Sequence, residues 1–263
     1  MSYSQPFDHM SIWVVFIITA AFFFSASEFG FRVGRFKHRR LAKGQTPNIG
    51  TILGAALGLL AFFLAFTFGM AGSRNDARKQ LILDEVNSIE TTYLRATLLP
   101  APYSTEFQDL LRQYINTRAE IQTATMDSIQ QIIDKSEELH RLLWSKVVTL
   151  TENNNVSGVT VLFIRSLNEI LNMHGKRLNA GLFNRIPVSI FLTLYFVAFL
   201  SMTLIGYQAG LTGKRSPIAS FALILTFATV LILIIDLERP EQKIFSVSQQ
   251  AMVNLKDKIN PSP

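Results

Sequence analysis

Four long apolar runs, set in pairs on either side of a charged middle, constrain this chain more than any other feature. They are Ile12 to Ala26, Ile49 to Met70, Pro187 to Ile205 and Ile218 to Ile235. Each approaches the roughly 20 residues that a helix needs to cross the hydrocarbon core of a bilayer. Lipid offers no partner for backbone N–H and C=O groups, so every spanning segment must satisfy them internally. The expected fold class is therefore all-α: an integral membrane protein with four transmembrane helices in two hairpins, and an extramembrane helical bundle between the second and third spans. The expected divisions are 1–71 for the first hairpin, 72–186 for the bundle, 187–236 for the second hairpin and 237–263 for a juxtamembrane tail.

Charge separates these parts. The stretch from Gly72 to Arg185 carries thirteen Lys/Arg and thirteen Asp/Glu, so the net charge of +6 comes from elsewhere. Much of it sits in the expected first loop, Arg32 to Ile49, which holds Arg32, Arg35, Lys37, Arg39, Arg40 and Lys43 without an acid. Lys214 and Arg215 lie between the third and fourth spans. Positive short loops stay on the cytoplasmic side, which places the termini and the bundle on the outer side. The first run is read as a retained span. Ser25-Ala26-Ser27 resembles a cleavage site, but the bases follow the run, whereas a signal peptide carries them before it.

The second span carries small residues at Gly50, Gly54, Gly58, Ala61, Ala65, Gly69 and Gly72, spaced by three and four along one helical face. Such a face lets helices approach closely, either against the first span or as a symmetric ring of second spans in a homo-oligomer. Phe62 and Phe66, four residues apart, line an apolar constriction or face lipid, and Gly69 joins them as a pore-neck candidate. Beyond the span, Gly and Pro are absent from Ser73 to Leu99, so the helix is expected to run on into water. Pro100 and Pro102 stop it, and Thr105 with Gln108 reads as a capping box opening the next helix. Helical periodicity then extends to about Leu150 with a joint near Thr125 to Asp127, a turn at Asn153 to Asn155, and a further helix from Val156 to Phe183. A short helix is expected from Gln250 to Lys258.

Candidate charged sites lie at the ends of the spans. Arg74 and Arg78 would form a positive vestibule in a ring, or else snorkel and pair locally with Asp76 and nearby acids. Glu28 needs a partner at the membrane edge, and Arg32 lies one turn on. Asp236 has Arg239 and Lys243 as neighbours. These pairs are expected to be structural, with gating or proton coupling as the alternative role. With no cysteine, thiolate metal sites and thiol nucleophiles are excluded. His9, His38, His140 and His174 fall in no metal-ligand spacing, and neither a nucleophile elbow nor a phosphate-binding glycine loop is present, so no enzyme, metal or cofactor is expected. Glu137, Glu138 and His140 read as a solvated face. The neutral middle makes nucleic acid a poor partner.

Several motifs resemble the bacterial bestrophin-like membrane proteins. They are Leu64-Ala65-Phe66-Thr67-Phe68-Gly69-Met70-Ala71-Gly72-Ser73-Arg74-Asn75-Asp76-Ala77-Arg78, with Asp84-Glu85, Asn87 and Tyr93-Leu94-Arg95 following. Glu28-Phe29-Gly30, Leu167-Asn168-Glu169, Arg177, Asp236 to Pro240 and Val247-Ser248-Gln249 extend the match over nearly the whole chain. The domain family brings no established activity, but it is distantly similar to bestrophin channels. That resemblance implies a homopentameric, chloride-conducting protein of the bacterial inner membrane, its partners being the bilayer, copies of itself and small inorganic anions. The second span would form the apolar neck. The calcium clasp of animal bestrophins is not matched, because Arg239 and Gln242-Lys243 stand where carboxylates belong. Bestrophins also keep both termini cytoplasmic, the reverse of the loop-charge reading. A non-catalytic sensor or scaffold, with a bundle that binds a ligand or protein, is the alternative function.

Overall fold

In a computed structural model, the structure describes residues 10–40, 49–124, 126–152, 157–213, 215–239 and 248–260. Lys43, Asn153 to Asn155, Lys214 and Lys243 lie outside these. Among the described residues there is no strand. The helices are α1 (Ile12–Arg40), α2 (Gly50–Ala96), α3 (Tyr103–Ala119), α4 (Met126–Glu152), α5 (Gly158–Leu178), α6 (Val188–Thr212), α7 (Pro217–Glu238) and α8 (Gln250–Ile259). Four of them, α1, α2, α6 and α7, are long and apolar enough to cross a membrane. The chain divides into two compact units, Met1–Arg74 with Arg185–Phe245, and Asn75–Asn184 with Ser246–Pro263. Both hairpins thus fall in one unit and α8 falls with the bundle.

Within the membrane unit the core is built from Phe23 and Ala26 of α1, Leu60, Leu64 and Ala71 of α2, Leu194, Ala198 and Met202 of α6, and Ala228, Leu231 and Ile235 of α7. The packing of α1 on α6 rests on four glycines. A Cβ at Gly30 or Gly34 would overlap the carbonyl oxygens of Thr203 or Tyr207, and one at Gly206 or Gly210 those of Ser27 or Phe31. Contacts advance together along both helices, which therefore run parallel. Thr19 and Tyr195 add a hydroxyl–hydroxyl bond of 2.7 Å.

This corrects the expectation that the small face of α2 packs against the first span. A Cβ at Gly54, Gly58, Gly69 or Gly72 meets nothing within 4 Å. Instead α2 buries Leu60, Leu64, Thr67 and Ala71, a stripe of helical spacing on its opposite side. The described part of the expected basic loop, Arg32 to Arg40, is helix, because α1 continues through Arg40. Gly30 and Gly34 do not break it, since they serve the α6 contact, and Arg and Lys are good helix formers. Between α6 and α7, Gly213 takes a left-handed conformation (φ +67°) that ends α6, and Pro217 opens α7.

In the bundle unit, α3 to α5 pack with the distal part of α2 and with α8 around Ile89, Phe107, Leu111, Tyr114, Leu143, Leu150, Phe163, Leu167 and Met252. The expected capping box at Thr105 and Gln108 is absent. Pro102 opens α3 three residues earlier, without a side-chain cap, and Gln108 instead donates to Ser104 Oγ at 3.0 Å. Ser157 caps α5, its hydroxyl accepting from the Thr160 amide at 3.2 Å. The joint after α3 is a tight turn at Glu120–Thr123, slightly ahead of its expected place, and α5 ends in a π-helical turn at Asn179–Phe183.

Candidate functional site

The open side of α2 is the first candidate. Phe62 and Phe66 stack with ring centroids 6.4 Å apart and planes 17° apart, and both are more than half exposed. They share this side with Gly58 and Gly69. An open groove of about 500 Å³ lined by Ala65, Phe66, Gly69, Met70, Ser73 and Arg74 follows the helix toward its basic end. Arg74 does not pair with Asp76, which faces Lys79 at 3.6 Å; it reaches Glu238 at 3.7 Å. Glu238 is buried and also accepts the Ile186 amide at 2.6 Å. Asp236 and Arg239 are buried beside it, and the Arg239 amide donates to the Asp236 carbonyl at 3.2 Å. At the other end, Glu28 accepts from Arg32 at 3.2 Å, as the one-turn spacing implied, and from Arg215 at 2.8 Å, which lies 187 residues away.

The second candidate was not foreseen. Glu85 of α2, well beyond the apolar part of that helix, is fully buried in the bundle and saturated with donors. Tyr114 donates to it at 2.9 Å, Arg118 Nε at 3.0 Å, Arg118 Nη2 at 3.4 Å, and Arg177 Nη1 also donates. Arg177 reaches on to Gln249 at 3.3 Å. Burial alone would raise the Glu85 pKa, but the two guanidinium groups outweigh it and hold the carboxyl at about 2. Burial, then the Glu85 charge, pushes the Tyr114 hydroxyl upward.

Beside this cluster His140 of α4 and His174 of α5 meet edge to face, centroids 4.8 Å apart, with Tyr114 4.9 Å from His140. His140 is thus not part of a solvated face. Both ring nitrogens of His174, and Nε2 of His140, are buried without a hydrogen-bond partner among the described residues. Burial first, then the Arg118 charge, lowers His140 to about 4 and His174 to about 3. Helical spacing links only Tyr114 with Arg118 and His174 with Arg177; the four helices that bring the cluster together are distant in sequence and share no period.

The depressed histidines predict acid lability. A group with folded pKa below its unfolded value of 6.5 contributes stability above that pH, and loses it as pH falls toward the folded value. Thermal unfolding of the bundle in detergent should therefore fall steadily below pH 6.5, by at most about 1.4 kcal/mol per pH unit for each histidine. His174→Phe should flatten the profile between pH 6.5 and 4.5; an unchanged slope would show that other groups set it.

A family model for the bestrophin-like domain matches residues 20–252. The chain belongs to the bestrophin-like family. Solved structures agree on the fold. A variant of a bacterial bestrophin homologue from Klebsiella pneumoniae has a TM-score of 0.72 at 16% identity, covering 95% of this chain and 97% of that one. Another variant of that homologue gives 0.67 at 16% identity with the same coverages. A structure described as a membrane protein variant gives 0.69 at 15% identity, covering 94% and 96%. No curated protein matches the chain. In this bestrophin-like chain the resemblance motifs divide between the two candidates: Leu64 to Arg74 and Asp236 to Arg239 frame the groove and its basic end, while Glu85, Arg177 and Gln249 build the buried cluster.

Proposed function

We propose that this protein assembles as a homo-oligomer, a pentamer by analogy with bestrophin channels, and passes small inorganic anions such as chloride through an apolar neck on α2. The observation that carries the reading is the uncovered side of that helix. Gly54, Gly58, Gly69 and Gly72 are open, Phe62 and Phe66 stand exposed among them, and no charge interrupts the span. An exposed face of small residues suits close contact between copies. Phenyl edges carry positive quadrupole charge that can face an anion in a narrow constriction. Phe62, Phe66 and Gly69 are the neck candidates. Arg74 and Arg78 would stand at its mouth as a vestibule, with Arg74 held by Glu238. Glu28 with Arg32, and Asp236 with Arg239, serve as structural anchors at the ends of the spans. The setting is the bacterial inner membrane, with the bundle outward as the loop charges imply.

The test is chloride flux from proteoliposomes, with empty vesicles and Phe66→Ala alongside. Expected is flux above the vesicle background that rises several-fold when the ring is removed. Absence of flux from folded, oligomeric protein would favour the second reading, a non-catalytic sensor or scaffold. The buried charge and histidine cluster in the bundle supports that reading, since it requires no pore.

A further inference from the structure

We infer that the C-terminal turns of α1 form a binding surface for the phosphates of anionic phospholipids. α1 buries one stripe, Val15, Thr19, Phe23, Ala26, Gly30 and Gly34. Arg32, Arg35 and Arg39, at i, i+3 and i+7, fall on the opposite side, and all are exposed. Eighteen residues make five helical turns, so Arg32 stands in line with Val14 and Arg35 with Ile17, both exposed aliphatics. The same outward side therefore changes from aliphatic to cationic over about 27 Å, close to the thickness of the hydrocarbon core. These bases face where lipid lies, at headgroup depth.

The flanking chemistry fits an acyl chain below a phosphate. Phe29 and Phe36 are exposed beside the arginines, and the Arg40 guanidinium lies 4.1 Å from the Phe36 ring centroid. Lys37 is turned the other way, over the Tyr207 ring at 6.0 Å. Glu28 is shared by Arg32 and Arg215, and the sequence from Arg32 to Arg40 holds no acid that could answer Arg35, Arg39 or Arg40. A negative lipid supplies that charge, and a zwitterionic one does not. The surface is independent of whether the protein conducts.

The experiment uses the full chain in neutral detergent, offered equal phosphatidylglycerol and phosphatidylcholine, with retained lipid counted by native mass spectrometry. Wild type should prefer phosphatidylglycerol by roughly tenfold. Combined Arg35→Gln, Arg39→Gln and Arg40→Gln, which leaves the Glu28–Arg32 pair intact, should bring the preference near parity. The corresponding Arg→Lys triple, which keeps the charge, should retain it, and so should Lys146→Gln in the bundle. If the Gln triple fails to elute as folded protein, molar salt on wild type gives the same test, and must abolish the preference. A preference that survives both charge removal and salt overturns the proposal. So does full competition by inorganic phosphate, which would mark a soluble-anion site, or loss of the preference when wild-type copies associate, which would mark a protein interface.

Discussion

Replacing Glu85 with Ala is expected to destabilise the bundle by about 3–5 kcal/mol, the range for breaking a buried ion pair from one side. The carboxylate satisfies Tyr114, Arg118 and Arg177 together; the Arg118 side chain is buried and that of Arg177 is 11% exposed. Without it, the buried Arg118 and the largely covered Arg177 keep their charges beside His140 and His174, with no other carboxylate in the cluster among the described residues. Glu85→Gln keeps the shape but halves the acceptor capacity and removes the charge, so it should fall between wild type and Ala. Thermal unfolding and hydrogen exchange of the α3 and α5 amides would report the loss. A change below about 1 kcal/mol would mean that water reaches the arginines and that the network stabilises little. Replacing the whole cluster with apolar residues of similar volume should be far less harmful than deleting Glu85 alone, since the desolvation cost of the charges then disappears as well.

Gly206→Leu is expected to separate α1 from α6, at a cost of about 3 kcal/mol or more. The overlapped atoms at Gly206 belong to the Ser27 and Phe31 backbone, which cannot rotate away as a side chain would. Even Ala there forces a shift of the whole helix pair. Gly58→Leu provides the contrast. Nothing lies within 4 Å of its Cβ, so the single chain should fold with unchanged stability. If copies meet on this side of α2, however, Gly58→Leu should abolish the oligomer on size exclusion with light scattering. A variant that folds and still assembles would remove α2 from the interface. Gly206→Leu that melts like wild type would show that the α1–α6 contact is not what holds the hairpins together.

Much of the architecture was legible because it follows from local chemistry. Twenty apolar residues in lipid leave the backbone one solution, so α2, α6 and α7 could be read from composition alone. The uninterrupted stretch from Ser73 to Leu99 predicts that α2 continues to the prolines, and it runs to Ala96; Gln250 to Lys258 gives α8 almost to the residue. Glu28 and Arg32 were read as a pair because four residues make one turn. Local chemistry does not fix the extent of α1, because a run of bases suits a loop, although a helix can equally carry arginines past the membrane edge. Thr105 does not cap α3 because a proline already stands at the helix start.

Local composition dictates the solvent each segment must occupy, and hence which segments become helices. Burial in lipid and hydrogen-bond satisfaction depend only on neighbours within a turn or two. Packing in three dimensions selects which of several equivalent surfaces meet. Gly30, Gly34, Gly206 and Gly210 carry the same four-residue spacing as Gly54 and Gly58, yet only the first set is packed within the chain. Glu85, Arg118, His140, His174 and Arg177 lie on four different helices, and no periodicity announces their meeting. Close packing and charge pairing act between residues distant in the chain, so those choices belong to the fold.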